Sequence, residues 1–112
     1  MKTLSIKRNN DFLRIYRRGK SVADSHVICY ASPNRLGKVR LGLTTSKKIG
    51  NAVARNRARR VLRAAFREVY PMIKPGFDII LVARTKTTFT KSTALTPILT
   101  AQLRKLGALQ ST

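Results

Sequence analysis

Acidic residues are scarce in this chain. Asp11, Asp24, Glu68 and Asp78 stand against 24 lysines and arginines in 112 residues, giving a formal charge of +20 and a pI near 11.8. Such a field costs self-repulsion and attracts phosphate polymers by releasing their counterions, so nucleic acid is the leading partner class. Histidine is nearly missing too, with His26 alone. A protein nuclease needs carboxylates clustered on metal ions, or a histidine working with an acid. Four acids in four separate segments, and a histidine with no acid at an evident sequence position, make no such set. No catalytic residue and no metal site are therefore expected. His26 reads as a strand-edge residue and Asp78 as the partner of a nearby arginine. Cys29 is the only cysteine, which excludes an internal disulfide and a thiolate metal cage; within an apparent strand it reads as a small buried hydrophobe.

Long apolar runs are also lacking. Hydrophobic residues make up 43% of the chain, but in short amphipathic pieces, none near the ~18 consecutive residues that span a bilayer. The start, Met-Lys-Thr-Leu-Ser-Ile-Lys-Arg, is basic without the apolar stretch of a secretory signal, so a cytoplasmic protein with no membrane partner is expected. No repeat, linker or low-complexity tract interrupts the sequence. One domain over residues 1–112 is expected, frayed only from Ala108 to Thr112. No glycine precedes Lys47-Lys48 at the Walker spacing, which argues against nucleotide hydrolysis. The turn Lys47-Lys48-Ile49-Gly50-Asn51 remains suited to offering backbone N–H groups to a single phosphate ahead of a helix.

What the chain does have is concentrated between residues 46 and 67, where eight cationic side chains and no acid sit in a periodically apolar pattern. At roughly 100° per residue, a helix from about Asn51 to Val69 gathers Ala54, Ala58, Val61, Leu62, Ala65, Phe66 and Val69 into one arc that can pack on a core. Arg55, Asn56, Arg59 and Arg63 occupy the next arc, with Arg60 and Arg67 just beyond. Arg57 lies well away from Arg59 and Arg63, so any RNA contact of Arg57 requires a second surface. Like charges at i, i+4 cost roughly 0.2–0.5 kcal/mol each. A solvated face normally mixes signs, whereas no acid appears here before Glu68.

Around that helix the pattern alternates. Ser5 or Asn9 is a candidate cap for a first helix carrying Phe12, Leu13, Ile15 and Tyr16, which Arg17-Arg18-Gly19 stops. Val22, then Val27, Cys29 and Ala31 set against Ile28, Tyr30 and Ser32, read as strand. Turn chemistry at Pro33–Gly37 leads to Val39, Leu41 and Leu43, which suggests an antiparallel pair. Tyr70-Pro71 and Pro75-Gly76 end the central helix, and the continuous run Phe77–Ala83 fits a strand covered on both faces. A last helix is expected over about Thr93 to Leu106, with Leu95, Leu99, Leu103 and Leu106 at helical spacing; Pro97 could move its cap to Thr96. The fold class is α/β (α+β): a sandwich of helices against a small central sheet.

Ser46-Lys47-Lys48-Ile49-Gly50-Asn51-Ala52-Val53, followed by Arg55-Asn56-Arg57, Arg59-Arg60 and Arg63, closely resembles the signature of the bacterial ribonuclease P protein family. Asp11-Phe12, Tyr16, Arg18-Gly19-Lys20-Ser21, Val39–Leu43 and Ile79–Arg84 match further landmarks in order, and the likeness covers nearly the whole chain, weakest after Lys86. Position 59 is Arg where Lys is common. The resemblance implies the order αβββαβα in two layers, with a left-handed crossover through the arginine helix, against the usual rule. It also implies a role as the auxiliary subunit of an endoribonuclease that removes the 5′ leader of precursor tRNA. The implied catalyst is the RNA subunit with its Mg²⁺; the protein itself needs no cofactor and no obligate protein partner.

With that resemblance, Phe12, Tyr16, Ile28, Tyr30, Arg55, Asn56, Arg59 and Arg63 are expected to form one cleft for the single-stranded leader, rings stacking on bases and arginines following the backbone. Ser46, Lys47, Lys48, Gly50, Asn51, Arg57 and Arg60, with the basic N-terminus, are expected to face the ribozyme RNA. Two alternatives come from other classes. A small ribosomal protein would be equally basic and aromatic-poor, but often carries long basic tails, whereas the charge here lies on a helix. A protein-only nuclease would be active without RNA, and the carboxylates argue against it.

Overall fold

A computed structural model describes residues 3–110. Its elements are β1 (Leu4–Ser5), α1 (Asn9–Arg18), β2 (Lys20–Ala23), β3 (Val27–Pro33), β4 (Arg40–Thr44), α2 (Ala52–Val69), β5 (Phe77–Ala83) and α3 (Ser92–Lys105). The five strands form one sheet in the order β1-β4-β5-β3-β2. The expected αβββαβα order is present, preceded by the two-residue β1.

The sheet departs from the sequence expectation in its pairing. β3 and β4 were expected to pair as an antiparallel hairpin, yet β5 lies between them, antiparallel to β3 and parallel to β4. The cause is burial. Ile79, Ile80 and Leu81 are wholly buried, and only a central strand has both faces and both edges covered. The turn after β3 therefore bridges across β5, and Asn34 N–H donates to Gly76 O at 2.7 Å to lock the entry of β5 beside it.

Alternation then sorts the two faces. Val27, Cys29 and Ala31 of β3, with Ile79, Leu81 and Ala83 of β5, pack against Ala58, Leu62, Ala65, Phe66 and Val69 of α2 and Leu95, Leu99 and Leu103 of α3. Ile80, with Tyr30 and Val82 beside it, meets Ile15, Phe12 and Tyr16 of α1 on the other face. The α+β sandwich of helices on a small sheet thus forms, but with α1 and the α2–α3 pair on opposite faces it has three layers where two were expected. Buried Gln102 ties α3 to the sheet, its Nε2 donating to Val22 O and Val27 O at 3.0 Å each.

Helix termini follow local chemistry, with three corrections. Asn51 caps α2 as its position suggests, accepting from Ala54 N–H at 3.0 Å. The residue before α1 is Arg8, not Ser5 or Asn9, and it makes no side-chain cap bond. α3 begins at Ser92 and carries Pro97 inside its second turn, where the missing N–H forfeits one i→i−4 bond that the packing of α3 offsets. Ala108 is fully buried and Leu109 bridges Ile73, so the segment expected to fray is anchored as far as the described residues run.

Candidate nucleic-acid interface

Phe12, Ile15 and Tyr16 recur at i, i+3 and i+4, so α1 turns one apolar stripe to the sheet. Ile15 is fully buried. The flanking rings are half-buried and continue as a line: the Phe12 and Tyr16 centroids are 6.3 Å apart, and Tyr16 meets Tyr30 edge-on at 4.9 Å. Tyr16 Oη and Thr44 Oγ1 share a 2.6 Å hydrogen bond that fixes the phenol over β4. Two glycines make the close approach possible. A Cβ on Gly42 would lie 2.8 Å from the Phe12 ring, and one on Gly19 would lie 2.6 Å from the Ile15 carbonyl oxygen.

Phe12 also looks the other way, toward α2. Because β1 pairs only Leu4 and Ser5 with β4, the edge of β4 beyond Leu41 is left open. A cleft of about 190 Å³ forms there, lined by Ser5, Ile6, Phe12, Leu41, Leu43, Arg59 and Arg63. Arg59 is oriented from within its own helix, donating through Nη1 to Asn56 Oδ1 at 2.9 Å. Arg55 lies a turn earlier, its Nη1 3.4 Å from Gly50 O. Phe12, Arg59 and Arg63 therefore line one cleft, Tyr16 and Tyr30 extend the line from Phe12, and Asn56 and Arg55 continue it along α2. Ile28 shares the Tyr30 face of β3, but pairs with Val82 away from the arginines. Among the described residues no ion pair engages the arginines of α2, so their charge is available to a polyanion.

A second basic surface lies on the opposite flank of α2. Arg57 and Arg60 line a separate hollow of about 290 Å³ with Val61, Ala64 and Ser92, between α2 and the start of α3. Ser46, Lys47, Lys48, Gly50 and Asn51 are exposed just before α2, where Lys47–Ile49 forms a 3₁₀ turn and Gly50 takes φ 136°, which favours glycine. The N–H groups of Ile49 and Gly50 close this turn onto Ser46 O and Lys47 O at 3.1 and 3.2 Å. They do not face outward, which leaves the Ala52 and Val53 amides in the first turn of α2, with the lysine side chains, to meet a phosphate. Lys2 of the basic N-terminus lies outside the described residues.

The acids are less isolated than their spacing suggests. Asp78 is buried; it accepts from Arg40 Nε and Nη2 at 2.8 and 2.7 Å and from Asn34 Nδ2 at 2.7 Å, with Arg14 at 3.5 Å. Burial pushes its pKa up, but these donors outweigh burial and hold the carboxyl below its ordinary range. Asp11 joins the same network through Arg14 and Arg40. His26 does have an acid in reach: Asp24 Oδ1 accepts from its backbone N–H and lies 2.8 Å from Nδ1. The local turn 24–26, not strand spacing, brings them together, and these hydrogen bonds lower the Asp24 pKa. Burial pushes the Cys29 thiol up to about 12, which leaves it inert. Among the described residues no three of His, Cys, Asp and Glu are grouped to hold a metal, and no helix is long and apolar enough to cross a membrane.

The family model described as Ribonuclease P matches residues 1–107. The ribonuclease P protein component of Thermoanaerobacter sp. (strain X514) is 49% identical over 85 residues, covering 76% of this chain and 73% of that protein. Its counterpart from Oceanobacillus iheyensis is 39% identical over 112 residues, covering 99% and 93%. Among solved structures, the RNase P protein of Staphylococcus aureus superposes with a TM-score of 0.82 at 34% identity, covering 97% of this chain and all of that one. That of Thermotoga maritima gives 0.77 at 27% identity, covering 93% and 97%.

Proposed function

The chain belongs to the ribonuclease P protein family, whose members serve tRNA 5′ processing as the protein component of an endoribonuclease, and from that premise we propose how its two basic surfaces divide the work. The cleft of Phe12, Arg59 and Arg63, with Tyr16, Tyr30, Asn56 and Arg55 along it and Ile28 at its far end, takes the single-stranded 5′ leader of precursor tRNA. Half-buried rings offer π-faces to unpaired bases, and arginines without acidic partners neutralise the phosphates between them. Ser46, Lys47, Lys48, Gly50, Asn51, Arg57 and Arg60 face the RNA subunit. Cleavage belongs to that RNA and its Mg²⁺, and this protein contributes binding and positioning in the cytoplasm. The observation that carries this reading is that α2 exposes arginines on two flanks, only one of which opens onto the aromatic line.

A comparison of two substrates tests it. Tyr30→Ala should weaken holoenzyme binding of precursor tRNA by about five- to hundredfold, the range for one lost base stack, while binding of mature tRNA is unchanged. Equal losses for both RNAs would reject the leader assignment.

A further inference from the structure

The 3₁₀ turn Thr85–Phe89 after β5 carries the most exposed large hydrophobic side chain among the described residues, Phe89, at 83%. Chain slackness does not explain that exposure. Thr87 is fully buried; its hydroxyl donates to His26 O and accepts from Arg84 N–H at 2.9 Å, while its N–H donates to Arg84 O at 2.9 Å. Thr90 Oγ1 closes the far side onto Lys86 O at 2.6 Å. With Thr87 and Thr88 filling the inner side of this tied turn, the phenyl ring is turned out to water. An aromatic ring held outward forgoes the burial that stabilises most rings of its kind.

Its surroundings are cationic. Arg84, Lys86 and Lys91 flank it, all exposed, and the chain has no acid after Asp78. The turn packs against α2 and against the 3₁₀ turn Lys47–Ile49, so it directly neighbours the lysines assigned above to the RNA subunit. With Arg84, Lys86 and Lys91 beside it in the chain, and Asp24 near Lys86 as the one acid that interacts with them, the ring is a poor seat for an apolar protein surface or for a second copy of a +20 chain. It suits a nucleobase, whose face stacks on the ring while its flanking phosphates meet the cations.

We propose that Phe89 is a stacking platform for one unpaired nucleobase of the RNA subunit, with Lys86 and Lys91 on the adjoining phosphates. This rests on the reading that the Lys47-Lys48 side faces that RNA, and extends it to a residue outside the arginine signature.

The chain contains no tryptophan, so Phe89→Trp makes residue 89 its only indole. Titrating this variant with the RNA subunit in Mg²⁺ should quench the indole emission, with affinity equal to wild type. Phe89→Ala and Phe89→Leu should both bind about five- to hundredfold more weakly, because leucine restores apolar area but no π-face. Full affinity in Phe89→Ala, wild-type affinity in Phe89→Leu, or unchanged emission at saturation would each overturn the platform while leaving the assignment of the RNA-facing side standing. Emission that changes with protein concentration alone would mean that the ring meets a second copy, which also overturns it. If the wild-type protein fails to bind the RNA subunit, the proposed function fails with it.

Discussion

Asp78 shows how one residue can be read for its type and missed for its consequence. A carboxylate opening a strand beside arginines suggests a simple pair, but it is the hub that joins Arg40 of β4, Asn34 of the β3–β4 connection and Arg14 of α1. Removing the charge leaves the mostly buried Arg40 guanidinium with Asp11, at a longer distance, as its one carboxylate partner among the described residues. Asp78→Asn should cost about 3 kcal/mol of stability, as expected when one partner of a buried pair is lost, read as a lowered urea midpoint. The pH dependence follows from the direction of the shift. A folded-state pKa below the ordinary 3.8 means that the contribution is fully present above 3.8 and is lost as pH falls through the lower folded value. Asp24, also lowered, acts in the same sense. Wild type should therefore lose stability steeply on acidification below 3.8, and Asp78→Asn should show a shallower loss; parallel profiles would remove Asp78 from the account.

At the scale of elements, α2 was legible and the sheet was not. The apolar arc and the cationic arcs are local properties of one segment, and the helix runs from Ala52 to Val69, against the expected start at about Asn51, which caps it instead. Strand partners are chosen by distant segments. The turn at Pro33–Gly37 has hairpin chemistry, but the doubly buried Phe77–Ala83 strand outcompetes β4 for the edge of β3. Likewise Phe12, Arg59 and Arg63 were candidates by residue type, while Leu41, Leu43, Ser5 and Ile6 were not, because the cleft exists only where a two-residue edge strand ends. Phe89 was passed over since no motif contains it; only its exposure marks it. The two flanks of α2 predict separable defects. Lys48→Glu combined with Arg60→Glu should sharply weaken assembly with the RNA subunit, and unchanged assembly at physiological salt would reject that surface. Arg63→Ala should instead flatten the salt dependence of precursor tRNA binding by about 0.7 in log–log slope for one lost single-strand phosphate contact. The slope is measured across a salt series.

For the whole molecule, the chemistry of cleavage is the decisive property. Asp11 and Asp78 come together, but each is engaged by arginine, and Asp24 is engaged by His26. Glu68 of α2 is exposed and apart from them, so among the described residues no group of carboxylates is gathered to share a pair of metal ions about 4 Å apart. Single replacements of Asp11, Asp24, Glu68 and Asp78 by Asn or Gln should leave the single-turnover cleavage rate intact at saturating protein and Mg²⁺, at a temperature where each variant is folded. A thousandfold loss in a folded, assembled variant would place a catalytic group in this chain. The position of β5 at the centre of the sheet bears on how the protein comes into being. Its partners β3 and β4 leave the ribosome some fifty and forty residues earlier, so until Ala83 has emerged both strands present bare edges and α2 has no sheet to lie on. Closing contacts over such separations costs chain entropy that the local β2–β3 pair offsets only in part. A nascent chain already carrying every arginine of α2 therefore has the charge to attract RNA without the aligned flanks to tell one RNA from another. Completion of a strand with no cation of its own is what converts a sticky polycation into a selective protein.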